Sequence, residues 1–206
     1  MPRRSLSRQL AQCELLACCK AKADKSPISV SHPGRITQRP NSGSIRIELA
    51  SSEDWQALSE LEKASFSGDR ISARSWRSFL ASASATITVA RCASSRIVGA
   101  AVVLERANTR VTRLYSIAIA PHARGRGLSA ALLADATQRM RDAGATVMRL
   151  ETRLDNLAAR HLFERSGFVQ RGRKSSYYED GEDALLYQKP LGDLGSADEA
   201  VPGDPA

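Results

Sequence analysis

Apolar and polar residues alternate, or form short apolar runs, in seven stretches of the chain, and each stretch predicts a β-strand. The first places Ile45, Ile47 and Leu49 on one face with charged residues between them. The third is a nearly continuous apolar run with an internal glycine, which indicates a buried strand. Four-residue links join the second, third and fourth strands and favour antiparallel hairpins. The predicted strands span residues 44–49, 86–91, 96–105, 110–120, 146–152, 168–178 and 183–191.

Four other stretches carry apolar residues at helical spacing. Ser51 or Ser52 can cap the first of them, since the acidic Glu53 and Asp54 favour the first turn of a helix. The third has an apolar stripe at i, i+4 spacing and is stopped by Gly144. The predicted helices span residues 53–66, 72–81, 128–143 and 157–166.

The order of these elements is β-α-α-β-β-β-α-β-α-β-β, which predicts a mixed α/β sheet in one domain over residues 45–191. We expect a central, twisted, mostly antiparallel sheet flanked by about four helices. Residues 1–44 hold eight Lys or Arg against two acidic residues, and residues 192–206 hold four acidic residues and no basic one. A basic N-terminal extension and an acidic C-terminal tail are therefore predicted on either side of the domain.

The composition bears on location and partners. The net charge is +8, but much of it falls in the N-terminal extension, so it says little about the domain itself. The Arg- and Ser-rich extension is typical of a disordered tail or, alternatively, of an organelle transit peptide. The sequence contains no run of about 18 apolar residues, and its four cysteines follow no zinc spacing. We expect a reducing, cytoplasmic location, with organelle targeting as the alternative, and no metal or membrane partner.

The segment PHARGRGLSAALL lies between a predicted strand and a predicted helix. The free N–H groups and the dipole at a helix start favour an anion. Gly125 and Gly127 can adopt positive φ and allow close approach, while Arg124 and Arg126 add charge. The spacing matches neither the nucleoside triphosphate loop nor G-x-G-x-x-G. A plain helix start with solvated arginines is the alternative. Nucleic acid is disfavoured, because the basic residues of the domain do not interleave with aromatic ones.

The same segment resembles the acetyl-CoA motif of the GCN5-related N-acetyltransferases (GNAT), R/Q-x-x-G-x-G/A after a strand and a proline. Arg124, Gly127 and Ser129 take its defining positions, with Ser129 replacing Gly or Ala. The downstream segments LETRLDNLAARHLFERSGF and YYEDGEDALLY are similar to the branch that acetylates protein N-terminal α-amines, including the ribosomal-protein alanine acetyltransferases. The resemblance covers residues 45–191 and implies a sheet in which two neighbouring strands splay apart.

The resemblance further implies that acetyl-CoA is the acetyl donor. Its pyrophosphate would lie at the glycine turn, and its pantetheine arm would bond to the backbone of the preceding strand as an added strand does. Asn156 would reach this arm, although a plain helix cap explains Asn156 equally well. The implied cofactor-binding residues are Ile117, Ala118, Ile119, Arg124, Gly125, Arg126, Gly127, Leu128, Ser129, Ala130 and Asn156.

Glu151 matches the general-base position of the family, where it would take a proton from the ammonium through water before attack. Its alternative is a salt-bridged surface carboxylate. The tyrosine that commonly serves the family as general acid is replaced by Phe163, whose plain interpretation is helix packing. Three possibilities stay open at this stage. The thiolate leaves toward water, another phenol (Tyr115, Tyr177 or Tyr178) replaces the acid, or the protein binds acetyl-CoA and is a poor enzyme.

The acceptor is expected between the first two helices and the last hairpin. The implied acceptor-binding residues are Phe66, Asp69, Tyr177 and Tyr178. The two tyrosines resemble residues that clamp a peptide, or else pack as cross-strand pairs on opposite faces of a strand. A protein or peptide N-terminus, reached by direct attack in a ternary complex, is the favoured acceptor. A small amine is the alternative, since Asp69, Glu179, Asp180, Glu182 and Asp183 suggest an acidic rim.

Overall fold

The computed structural model describes residues 45–66, 70–178 and 180–192. The predicted basic extension and most of the acidic tail lie outside the described residues. The strands are β1 (Arg46–Leu49), β2 (Ala85–Arg91), β3 (Ile97–Glu105), β4 (Val111–Ile119), β5 (Val147–Arg153), β6 (Val169–Lys174) and β7 (Ala184–Pro190). The helices are α1 (Trp55–Ser65), α2 (Ala73–Leu80), α3 (Leu128–Asp142) and α4 (Leu157–Arg165). Short 3-10 turns, Ser52–Asp54 and Pro121–Ala123, precede α1 and the glycine turn.

The seven strands form a single sheet in the order β1-β2-β3-β4-β5-β7-β6. Every neighbouring pair is antiparallel except β4 and β5. This confirms the predicted mixed α/β domain with a mostly antiparallel sheet. The insertion of β7 between β5 and β6 is a feature that sequence patterning does not reveal, because it depends on pairing between distant segments.

The one parallel pair is short, and the two strands then diverge. β4 and β5 pair only from Val111 opposite Val147 to Arg113 opposite Arg149. Beyond that point β5 continues to pair with β7, while β4 continues to pair with β3. The register of β3 and β4 shifts so that Tyr115 is an extra residue in β4. A bulge bends its strand and increases its twist, which explains why the fork begins here.

Helices cover both faces of the sheet. On one face α3 packs closely, since a Cβ at Gly99 would lie 2.7 Å from Ile119 Cδ1 and 3.0 Å from Leu132 Cδ1. On the opposite face α2 contacts β4 through Phe79, whose ring centroid is 5.3 Å from that of Tyr115. The close approach of α3 explains the internal glycine of β3. No helix in the described part of the chain is long and apolar enough to cross a membrane.

Local signals explain the helix boundaries. Ser51 and Asp54 form a capping box, in which the Ser51 N–H donates to the Asp54 carboxylate at 2.7 Å. Ser72 caps α2 by accepting the Ser75 N–H at 3.0 Å. Gly144 has a φ of 83° just after α3, the left-handed conformation that ends a helix most easily with glycine. These boundaries agree with the sequence prediction.

Candidate active site

The glycine turn adopts the conformation that an anion site at a helix start requires. Gly125 and Gly127 have φ values of 74° and 76°. Gly127 directly precedes α3, and a Cβ built on it would meet no atom within 4 Å. The first N–H groups of a helix lack intrahelical partners. The amides from Leu128 to Ala130 therefore start a 15-residue helix at an open, concave turn.

Arg124 plays a different part from the one expected from its charge. Its Nε donates to the Ile119 carbonyl at 3.2 Å, and its Nη2 donates to the Ser65 carbonyl at 3.3 Å. The side chain therefore ties the glycine turn to the ends of β4 and α1. Arg126 is exposed and remains the cation directed at solvent. Arg124 was expected to add charge to the turn, and these bonds show that it also holds the protein's own backbone.

The expected residues of the cofactor arm lie on the diverging part of β4. Ile117, Ala118 and Ile119 are buried and pair on one side with β3. On their other side no ladder pair joins them to β5 in the described residues. Asn156 is buried at the start of α4, where its Oδ1 accepts the Ala159 N–H at 3.1 Å. The structure thus shows Asn156 as a helix cap. The sequence analysis had given this role as the alternative to cofactor contact, and the two roles are compatible.

A cluster of charged and phenolic groups lies beside the fork. Nε and Nη2 of Arg113 are each 2.7 Å from Oε2 of Glu151. Nη2 also lies 3.4 Å from the hydroxyl oxygen of Tyr177, so it can donate a weak hydrogen bond. Burial raises the pKa of Tyr177, which keeps its phenol protonated. The structure therefore brings Glu151 and Tyr177 together through Arg113.

Sequence reasoning missed Arg113. A signal was available in the sequence, because Arg113 is a charged residue inside a predicted strand, next to the apolar Leu114. Such a residue needs a partner. Only the pairing of β4 with β5 identifies that partner as Glu151, since the two residues are 38 positions apart.

The prediction that Tyr177 and Tyr178 belong to a strand is wrong. β6 ends at Lys174, and Ser176 has a φ of 47°. The N–H groups of Tyr177 and Tyr178 both donate to the Glu182 carbonyl, at 3.0 and 3.1 Å. This turn breaks the alternation, so the rings do not lie on opposite faces. They meet edge to face with centroids 5.3 Å apart.

The other aromatic residues divide between the site and the core. Burial raises the pKa of Tyr115, which contacts Phe79 on the α2 side of the sheet. Phe163 is 1% exposed and packs against Phe168 and Tyr187, with centroids 5.9 and 6.3 Å away. The packing interpretation of Phe163 is the one that the structure shows. Tyr187 instead donates its hydroxyl to Glu164 at 2.8 Å.

Two acids of the expected rim are paired with arginines. Asp180 lies 2.8 Å from Arg153, and Asp183 forms an ion pair with Arg173. The neighbouring Asp69 and Glu179 lie outside the described residues. Phe66, which was expected to bind the acceptor, is buried just after the last residue of α1. The described residues contain no group of three His, Cys, Asp or Glu that could hold a metal ion.

A second carboxyl, missed by sequence reasoning, lies on the α1 side. Glu62 is 3% exposed, and its Oε1 accepts the Ile71 N–H at 2.9 Å. Burial raises the pKa of Glu62 to about 7, against smaller opposing effects of the Ile71 hydrogen bond and the Arg70 cation. Its helical position among apolar residues was visible in the sequence. Its burial depended on how α1 packs.

The forked sheet with a glycine turn at the end of its diverging strand defines the class of N-acetyltransferase folds. The acetyltransferase (GNAT) family model matches residues 55–168. The chain belongs to this family. The fold is similar to that of the ribosomal-protein-S18-alanine N-acetyltransferase of Escherichia coli, with a TM-score of 0.66. The two chains are 23% identical in sequence, and the similarity covers 77% of this chain and 99% of that one.

Curated relatives carry related names. The N-alpha-acetyltransferase 30 of Schizosaccharomyces pombe is 33% identical over 97 residues, which are 46% of this chain and 65% of that protein. A putative ribosomal protein bS18-alanine N-acetyltransferase of Bacillus subtilis is 35% identical over 75 residues, 36% of this chain and 50% of that protein. The matched part of this chain thus covers less than two thirds of each of these relatives.

Proposed function

We propose that the protein transfers an acetyl group from acetyl-CoA to the α-amine of a protein or peptide N-terminus, by direct attack in a ternary complex. The observation that carries this proposal is the arrangement along β4. A glycine turn with positive φ values follows its C-terminal end, and the Arg113–Glu151–Tyr177 cluster lies beside the fork at its other end. Membership of the GNAT family and the names of the relatives support the same reaction.

The residues around the fork fit the proposed cofactor. The open space at Gly127 and the amides from Leu128 to Ala130 suit a pyrophosphate. The edge of β4 that faces the fork, from Ile117 to Ile119, suits an extended arm bonded in the manner of a strand. Ser129 does not obstruct this turn, because it is small and its backbone N–H is retained. When bound, acetyl-CoA supplies an acetyl group activated as a thioester.

The protein's own side chains can handle the protons of acyl transfer. A bond forms between the amine nitrogen and the acetyl carbon, and the bond from that carbon to sulfur breaks. An ammonium nitrogen loses two protons in all, one before attack and one as it bonds. We assign Glu151 as the group that receives the second proton through water, and no longer the first as the resemblance implied. We assign Tyr177 as the donor to the leaving thiolate, in place of the family tyrosine that Phe163 replaces. The contact of Arg113 with both residues supports these assignments.

Two other functions are outcomes of the test. A small amine such as a polyamine would need an acidic rim, and the arginine partners of Asp180 and Asp183 weaken that argument. A catalytically weak acetyl-CoA-binding module would be consistent with the apolar Phe163. The pairing of these two described acids, together with the names of the relatives, supports the peptide acceptor over the small amine.

The direct test is thiol release from acetyl-CoA with a panel of peptides, a polyamine and an aminoglycoside as acceptors. We expect the peptides to be preferred, with intersecting double-reciprocal plots because both substrates bind before reaction. Glu151→Gln should lower kcat by about 10²-fold on the best acceptor. Glu60→Gln, on the exposed side of α1, is the matched control. Preference for small amines, or acetyl-CoA binding by calorimetry without turnover, would each replace the proposal with its alternative.

A further inference from the structure

Glu62 has one carboxylate oxygen engaged and one without a hydrogen-bond partner. Oε1 accepts the Ile71 N–H at 2.9 Å, just before the Ser72 cap of α2. Oε2 is completely buried and has no hydrogen-bond partner among the residues that the structure describes. A buried carboxyl oxygen without a donor is unfavourable, so such a group usually has a reason to be retained.

The groups around Glu62 connect it to the candidate active site. Tyr115 interacts electrostatically with Glu62, and also with Arg113 and Tyr177. Arg70 favours the ionised form of Glu62, but less strongly than burial opposes it. Tyr115 is therefore an electrostatic neighbour that Glu62 shares with two members of the Arg113–Glu151–Tyr177 cluster.

The elements packed against α1 bring few other charges. β3 carries no charged residue until Glu105, which accepts a hydrogen bond from Thr86. In the turn before α1, Asp54 is bound to Arg91, and in α2, Arg77 lies over the Trp55 ring. The remaining charged neighbours in these elements are Glu53, Glu60, Lys63 and Arg74, and all four are exposed.

We propose that Glu62 is a second carboxyl of the acceptor site, whose Oε2 accepts the proton that the acceptor ammonium must lose before it can attack. This inference rests on the proposed function. The ammonium loses one proton and gains a free lone pair, and Glu62 becomes a neutral carboxylic acid that later returns the proton to water. The second proton leaves the nitrogen only as the new bond forms, and this is the proton assigned above to Glu151.

The chemistry of the transfer favours Glu62 for the first proton. An α-ammonium has a pKa of about 8, whereas an unperturbed glutamic acid has a pKa of about 4.3. Transfer to an unperturbed glutamate would therefore be unfavourable by a factor of several thousand, about 10^3.7. With its pKa raised to about 7, Glu62 reduces that factor to roughly ten.

The test is the pH profile of kcat/KM for the full chain with two peptides whose N-terminal amines differ in pKa by about one unit. A limb that reports the acceptor amine has a pH midpoint that differs between the two peptides, whereas a limb that reports a group of the enzyme has the same midpoint with both. We expect a stationary acidic limb near pH 7. In Glu62→Gln this limb should disappear, and kcat/KM at pH 7 should fall by about 10²-fold.

Glu62→Gln keeps an oxygen for the Ile71 N–H, so it preserves the anchor of this segment and removes only the titration. Glu151→Gln is the comparison, and it should lower the rate while retaining the stationary limb. A Glu62→Gln enzyme that keeps the limb overturns the inference. If Glu62→Gln does not fold, the wild type and Glu151→Gln still test the inference. A stationary limb below pH 5 in the wild type overturns it, and so does the loss of the stationary limb in Glu151→Gln. A wild type that binds acetyl-CoA and acetylates no amine contradicts the proposed function instead.

Discussion

Arg113 and Glu151 are joined across the point where the sheet forks, with two guanidinium nitrogens each 2.7 Å from one carboxylate oxygen. Arg113 is the last residue of β4 that pairs with β5, and it lies opposite Arg149. Glu151 is two residues beyond Arg149 in β5. The ion pair therefore closes the near end of the gap between the strands. It also positions Tyr177, which lies 3.4 Å from the same guanidinium.

Arg113→Met should remove this connection. Its side chain and that of Glu151 are 22% and 18% exposed, so the change leaves a half-buried carboxylate without its cation. We expect the free energy of unfolding to fall by about 1–3 kcal/mol and kcat to fall by at least about tenfold. Urea denaturation and thiol release measure the two effects. Arg110→Met, at an exposed arginine just before β4, should change neither, and equal effects in both variants would contradict a specific role.

Gly127→Ala should disturb the turn through backbone conformation alone. A Cβ at Gly127 meets no atom within 4 Å, but the residue has a φ of 76°. An L-residue in this left-handed region costs about 1–2 kcal/mol. We expect that loss of unfolding free energy together with a weaker calorimetric affinity for acetyl-CoA. Gly192→Ala is the matched control, since a Cβ built at Gly192 also meets no atom within 4 Å and the φ of Gly192 is not in the left-handed region. Unchanged affinity in Gly127→Ala would argue against the turn as the pyrophosphate site.

Phe163→Tyr restores the residue type common in the family, but at a position buried in the core. The ring is 1% exposed between Phe168 and Tyr187, so the added hydroxyl would lack water. We expect the free energy of unfolding to fall by about 1–2 kcal/mol and kcat not to rise. Phe79→Tyr, at a half-buried ring, should be less costly. An increase in kcat for Phe163→Tyr would show that this position faces the leaving thiolate after all.

Glu62 should make the stability of the fold depend on pH. Its pKa is raised from 4.5 to about 7 in the folded state, so between these values the folded protein holds a proton that the unfolded chain has lost. The free energy of unfolding should therefore fall as pH rises from 4.5 to 7, by up to about 3 kcal/mol, and should not change through Glu62 outside that interval. Denaturation across this range should show a smaller slope for Glu62→Gln. Equal slopes would mean that Glu62 is hydrated in the folded protein.

Several features of the site were predicted from local sequence, and others were not. The positive φ of Gly125 and Gly127 and the cap at Asn156 follow from residue types at a strand–turn–helix junction. The inward direction of Arg124 does not, because its acceptors belong to Ile119 and to Ser65, 59 positions away. The strand assignment of Tyr177 failed because its N–H donates to the Glu182 carbonyl in a turn, and this turn overrides the local alternation.

The sequence by itself determined the order of the elements, the mixed α/β class, the glycine turn and the membership of an acetyltransferase family. These depend on periodicity and short motifs, which are properties of neighbouring residues. The tertiary structure alone decided that β4 and β5 fork after Arg113, that Arg113 binds Glu151, and that Glu62 is buried. These relationships join residues tens of positions apart, and a charged residue in a sequence does not reveal its partner or its exposure to water until the sheet and helices have packed.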